Sequence, residues 1–145
     1  MLKLSKLADY GVVIMAFLVR HPDGLFTSQV IAEKTKISQP TASKLLKRLT
    51  RAKLIYSTRG ISGGYQLAVD PEKVKLTSLL EALEEPLMLT ACHDAKHPCQ
   101  IIQTCSMIKP WMKVNHMIYQ TLDALTLKDF FMTTPTKTHK VTETA

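Results

Sequence analysis

A mostly α-helical chain with a small β-hairpin wing, a winged helix-turn-helix followed by a long C-terminal helix, is the fold the sequence predicts. Three observations carry that prediction. Apolar residues recur at helical spacing along residues 4–20, 38–53 and 109–125. The short turn Ile37-Ser38-Gln39 joins two of the predicted helices, which is the layout of a helix-turn-helix. The glycine-rich stretch Arg59-Gly-Ile-Ser-Gly-Gly64 then separates two short strand-like segments.

The first helix, 4–20, carries Leu7, Tyr10, Ile14, Phe17 and Leu18 as its apolar face and ends at His21-Pro22-Asp23-Gly24. Lys3 and Lys6 ahead of the apolar run Gly11–Val19 have the outline of a secretion signal. Asp9 and Tyr10 interrupt it, however, and Arg20-His21-Pro22 replaces a small-residue cleavage site. Nine apolar residues are also too few to span a bilayer. Thr27 is placed to N-cap a second helix reaching about Lys36, with Val30 and Ile31 turned inward. Ser38 is the expected N-cap of the third helix, and Pro40 falls in its first turn, where a missing N–H costs nothing. That helix is expected to run to about Lys53, with Leu45, Leu49 and Ala52 in the core.

Strands are expected over 54–58 and 64–69, the intervening glycines permitting positive φ. A short fourth helix, 77–84, has Leu79, Leu80 and Leu83 inside and closes at Glu85-Pro86. Lys109-Pro110 opens the long helix, on which Trp111, Val114, Ile118, Leu122 and Leu125 follow spacings of three and four. A face this apolar needs a cover, which its own domain or a second copy of the helix can supply, and the second copy suits it better. A last helical turn is expected over 125–131. The chain thus divides by expectation into a winged helix-turn-helix over 1–86, a cysteine loop over 87–108, a dimerisation helix over 109–131 and a disordered tail over 132–145.

At 145 residues with 46% apolar content the chain suffices for one compact core. Its net charge of +7 favours an anionic partner. Between Thr27 and Tyr65 lie eight lysines and arginines, at 34, 36, 44, 47, 48, 51, 53 and 59, against Glu33 alone. That window holds the whole cationic excess, on the helix-turn-helix and the wing, and points to double-stranded DNA. The polar residues Ser38, Gln39, Thr41 and Ser43 at the start of the third helix are the candidates for base edges. Lys44, Lys47 and Arg48 suit phosphates, which position without reading sequence. Arg59, with Ser62 beside it, suits an adjacent minor groove. Thr27 and Ser28 can offer hydroxyls and helix N-terminal N–H groups to a phosphate.

All three cysteines, Cys92, Cys99 and Cys105, stand within fourteen residues. An odd number of them points to reduced thiols and a cytoplasmic setting. Free cysteines are often small buried hydrophobes, yet His93, Asp94, Lys96, His97 and Pro98 make this loop poor core material. No tight C-x2-C pair suggests zinc. Wider spacing on a loop suits an iron–sulfur cluster held by thiolates, or thiols that act as redox sensors. No phosphate loop or nucleophile motif suggests an enzyme.

Leu7-Ala-Asp-Tyr-Gly11, Ile37-Ser38, Arg59-Gly-Ile-Ser-Gly-Gly-Tyr65 and the three-cysteine loop together resemble the IscR/NsrR-type winged-helix transcriptional regulators, over residues 1 to about 131. Leu89-Thr-Ala-Cys92 and Pro110-Trp111 make the resemblance closest to regulators of SUF iron–sulfur assembly genes. It implies a homodimer, joined through the helix from Lys109, that represses transcription according to cluster status. Cys92, Cys99 and Cys105 match the three cysteine ligands. For the fourth, the histidine position of IscR-type proteins is Ile108 here, which cannot ligate. Asp9 matches an aspartate that NsrR-type proteins take from the other subunit's first helix; His93 or His97 is the alternative, with His116 a competitor. The assembly-regulator resemblance favours [2Fe-2S], and an aspartate ligand leaves [4Fe-4S] open. Ser43 replaces a glutamate of the IscR-type recognition helix, so operator preference does not carry over. The alternatives are a cluster-free regulator with thiol redox sensing, or a nitric-oxide-sensing NsrR-like repressor.

Overall fold

The computed structural model describes residues 5–83 and 99–132. Among these, six helices and one two-stranded sheet follow in the order α1 (Lys6–Arg20), α2 (Ser28–Thr35), α3 (Gln39–Arg51), β1 (Ile55–Thr58), β2 (Gly64–Leu67), α4 (Leu76–Leu83), α5 (Ile108–Asp123) and α6 (Leu127–Phe131). The predicted class, mostly α with a hairpin wing, is the fold observed.

Helix α1 starts where the Ser5 hydroxyl accepts from the Ala8 N–H at 3.1 Å. It buries Ala8, Gly11, Ile14, Met15, Leu18 and Val19. Tyr10, expected inward, is instead 39% exposed. Two residues turn a helix by about 200°, so a face centred on Ala8 and Gly11 carries Tyr10 away from the core. Small residues hold that centre because α4 crosses there. Thr27 caps α2 as expected, accepting from the Val30 N–H at 3.3 Å. Lys36 ends α2 in the left-handed region, at φ 59°, which turns the chain sharply into α3. The expected side-chain cap of α3 is absent: the Ser38 hydroxyl donates to Thr41 Oγ1 at 2.8 Å instead. Helix α3 ends at Arg51, earlier than expected, because Lys53 also takes a positive φ of 58°. Ala52 is consequently exposed, and the buried stripe is Ala42, Leu45, Leu46 and Leu49.

The core gathers the inner faces of α1 to α4 with Leu54, Ile55 and Leu67 of the hairpin and Leu127 and Phe131 of α6. Each fully buried Leu or Ile contributes about 1.5–3 kcal/mol by leaving water. The hairpin pairs Ile55 with Leu67 through Thr58 with Gly64. Gly60 at its tip supplies the positive φ that the turn needs, 117°.

Helix α5 buries no residue. Two side-chain hydrogen bonds fasten it to α4: Thr77, itself buried, donates its hydroxyl to Asp123, and the Tyr119 hydroxyl meets Glu81 at 3.1 Å. The chain then returns to the domain. Leu76 N–H donates to Leu125 and Leu127 N–H to Val74, each at 2.9 Å, and Thr126 with Asp129 forms a capping box at the start of α6. The last helical turn expected from sequence is thus a docked helix that packs on α1. No described helix is long and apolar enough to cross a membrane. The expected disordered tail lies outside the described residues, apart from Met132.

Candidate nucleic-acid interface

The loop before α2 and the second wing strand are stitched together. Phe26 N–H donates to the Tyr65 carbonyl at 3.0 Å, and Tyr65 N–H donates to Phe26 at 2.7 Å. Gly64 permits this approach, since a Cβ there would lie 2.7 Å from the Phe26 oxygen. Tyr56 donates to Gln66 Oε1 at 2.6 Å, and Gln66 reaches the Pro22 carbonyl at 3.4 Å, which braces the wing against the end of α1.

This stitching closes a hollow of about 470 Å³ between the start of α2, the middle of α3 and the wing. Thr27, Ser28, Lys47 and Arg59 line it, with Ser57, Thr58 and Tyr65. Two cations, several hydroxyls and the positive end of α2's dipole therefore face one space, an arrangement suited to an anion. Ser57 and Thr58 were not singled out from sequence. Their only signal there is a pair of hydroxyl residues in a strand running into Arg59.

Helix α3 has no acidic residue, and its outer side presents Gln39, Lys44, Lys47 and Arg51 to solvent. Ser43 and Thr41 are half-buried at the flanks, and Thr41 is engaged by Ser38. Ser62 and Arg59 are exposed on the wing. Arg48 departs from this cationic side. Its half-buried guanidinium turns inward and hydrogen-bonds the carbonyl of Leu83 on α4. The helical period places Arg48 at the edge of this stripe: Lys44, Lys47 and Arg51 fall within about 60° of one another, and Arg48 lies about 40° from Lys44 on the side away from Lys47, toward the buried Leu45 and Leu49, where α4 is within its reach.

Cys99 and Cys105 are free, half-buried thiols. The segment between them is a run of turns, with Ile102 N–H bonded to Cys99 and Thr104 N–H to Ile101, each at 3.1 Å. Cys92, His93 and His97 lie outside the described residues. Asp9 is exposed on α1 and His116 is exposed on α5. Among the described residues, no three side chains of the His, Cys, Asp and Glu type converge on one point within a single chain.

A helix-turn-helix with a braced, basic wing defines a winged-helix DNA-binding regulator. Residues 4–133 match the Rrf2 family, described as iron-dependent transcriptional regulators, and the chain belongs to that family. It is 31% identical to the solved structure of the T. potens IscR, with a TM-score of 0.66, over 90% of this chain and 87% of that one. It is 28% identical to the solved CymR, the global cysteine regulator of B. subtilis, with a TM-score of 0.73, over 92% and 99% of the two chains. It is also 28% identical to the transcriptional regulator NsrR of Bacillus subtilis, over 88% of this chain and 89% of that one. Its relatives are regulators, not enzymes.

Proposed function

We propose that this chain is a homodimeric, cluster-sensing transcriptional regulator that represses iron–sulfur assembly genes, with α3 as its recognition helix. The observation that carries the sensing part is the placement of the thiols. Cys105 stands three residues before α5, Cys92 nine residues after the last described residue of α4, and Cys99 between them. Thiolates are the soft donors an iron–sulfur cluster takes, and the family is described as iron-dependent. Cys92, Cys99 and Cys105 hold the cluster. Asp9 of a second copy is the fourth ligand, with His93 or His97 as the alternative; its exposure leaves it free to reach a partner. The cluster, [2Fe-2S] by resemblance with [4Fe-4S] compatible with Asp9, supplies a redox-labile cross-link when bound.

On the DNA side, Gln39, Thr41 and Ser43, with Ser38, read base edges at the start of α3. Lys44 and Lys47 take phosphates, and so do Thr27 and Ser28, through the hollow beside α2. Arg59 and Ser62 follow the minor groove from the wing. The dimer forms along α5, where Trp111, Val114 and Met117 are exposed on one side of the helix. An apolar face left exposed by its own domain is a common mark of an interaction surface, and a second copy of the helix suits this one.

A second reading rests on the likeness to CymR, the cysteine regulator: the same dimer senses through its thiols without a cluster. Anaerobic reconstitution with iron and sulfide, followed by visible absorption and metal counting, separates the two. A coloured protein is expected, with colour lost on changing Cys92, Cys99 or Cys105 to Ala. A colourless protein retaining DNA affinity supports the thiol reading instead.

A further inference from the structure

Arg48 is the one cation of the recognition helix that points into the protein. Its partner, the Leu83 carbonyl, belongs to the last described residue of α4, and nine residues later the chain reaches Cys92. The other side of the same residue is equally constrained. Leu83 is fully buried, and its side chain fills the notch that Gly11 leaves in α1: a Cβ on Gly11 would fall 2.2 Å from Leu83 Cδ2. Farther back along α4, Thr77 and Glu81 hold α5 through Asp123 and Tyr119. Helix α4 is therefore gripped by the recognition helix on one side and by α5 on another, and both α4 and α5 run into the cysteine segment.

We propose that Arg48 is a positioning residue, not a phosphate contact: through the Leu83 carbonyl it makes the recognition helix follow the end of α4, and so the state of the cysteine segment. This rests on the cluster-sensing reading above. A charged guanidinium holding a backbone carbonyl is a strong, directional hydrogen bond. Arg48 sits nine residues after Gln39, about 13 Å along the axis. A small displacement of Leu83 thus tilts the base-reading end of α3 about a distant pivot. A well-packed contact of this kind passes small shifts on instead of absorbing them.

The test compares reconstituted and cluster-free protein, wild type and variant, for affinity to a DNA duplex selected from a randomised pool by the wild type. The wild-type ratio of the two affinities comes first. Allosteric coupling of ordinary size makes it on the order of 5- to 150-fold. A ratio of one in a coloured wild-type protein, or a colourless wild type, sinks the sensing reading before any variant is made, and this proposal with it. With the ratio established, Arg48→Met is expected to keep the visible spectrum and the dimer, to keep the wild-type salt slope, and to bring the ratio to within about twofold of one. Gly11→Ala, which displaces Leu83 from the other side without changing any residue of α3, is expected to collapse the ratio as well, and alone decides the matter if Arg48→Met does not fold. An unchanged ratio with a salt slope lowered by about 0.9 per protomer makes Arg48 a phosphate contact after all. An unchanged ratio and slope with only a lower melting temperature makes it a structural clamp. Either result overturns the proposal.

Discussion

Single side chains decide what the basic window does. Lys47 and Arg51 face solvent while Arg48, between them, is half-buried against α4. Lys47 also lines the hollow with Thr27, Ser28 and Arg59. Replacing Lys47 with Ala should weaken DNA binding across all sequences and lower the slope of log affinity against log salt by about 0.9 per protomer. Titrating binding at several salt concentrations checks this, and an unchanged slope moves the phosphate seat elsewhere. A second residue-scale prediction concerns pH. The Thr126 hydroxyl and backbone N–H hold the Asp129 carboxyl below its ordinary value of 3.8. A carboxyl lowered on folding stabilises the fold at pH above its unfolded value and ceases to do so as pH falls through its lower folded value. Asp129→Ala should therefore lower the melting temperature at neutral pH, and the gap between variant and wild type should close in acid below that value. A gap independent of pH means the capping box does not hold α6. The start of α3 was legible from Pro40 in its first turn and the short turn before it, although the Ser38 hydroxyl bonds Thr41 instead of capping the helix. The diversion of Arg48 was not, because its partner lies 35 residues away.

At the scale of elements, most helices follow from their apolar period and their caps. Thr27 and Ser5 do what short hydroxyl side chains do at helix starts. One boundary shifts where the backbone turns left-handed at a lysine, at Lys53, since nothing in a lysine marks such a turn; the similar turn at Lys36 falls at the expected end of α2. Helix α5 is the element whose environment the domain alone leaves incomplete. It buries nothing, and Met117 is 57% exposed. If a second copy covers this face, Val114→Asp should convert the dimer to monomer, because a carboxylate buried in that contact has no cation to meet it. Light scattering after size exclusion reads the mass directly. A dimer of unchanged stability in Val114→Asp places the partner contact off this face. The monomer, if obtained, should keep its helix content, since Val114 is exposed and is not one of the buried residues that make the core.

For the whole molecule, two kinds of information meet. Local chemistry written along the chain determined the class of fold, the order of its elements, the location of the cationic excess and the clustering of the thiols. Apolar period, capping residues, glycine turns and net charge all act within a few residues, so each is readable without knowing what lies opposite. Contacts across the sequence decided the rest. Only the tertiary structure stitches Phe26 to Tyr65, so that the wing and the start of α2 enclose one anion-suited hollow with Lys47. Only there does α6 return to α1, with Phe131 sealing the domain after α5 has left it. Only there does Arg48 turn inward to Leu83 while Gly11 makes room for that leucine. The physical reason is common to all three. A hydrogen bond or packed notch between distant residues depends on the relative placement of whole elements, which the burial of a shared core imposes after each element's own preferences have been met.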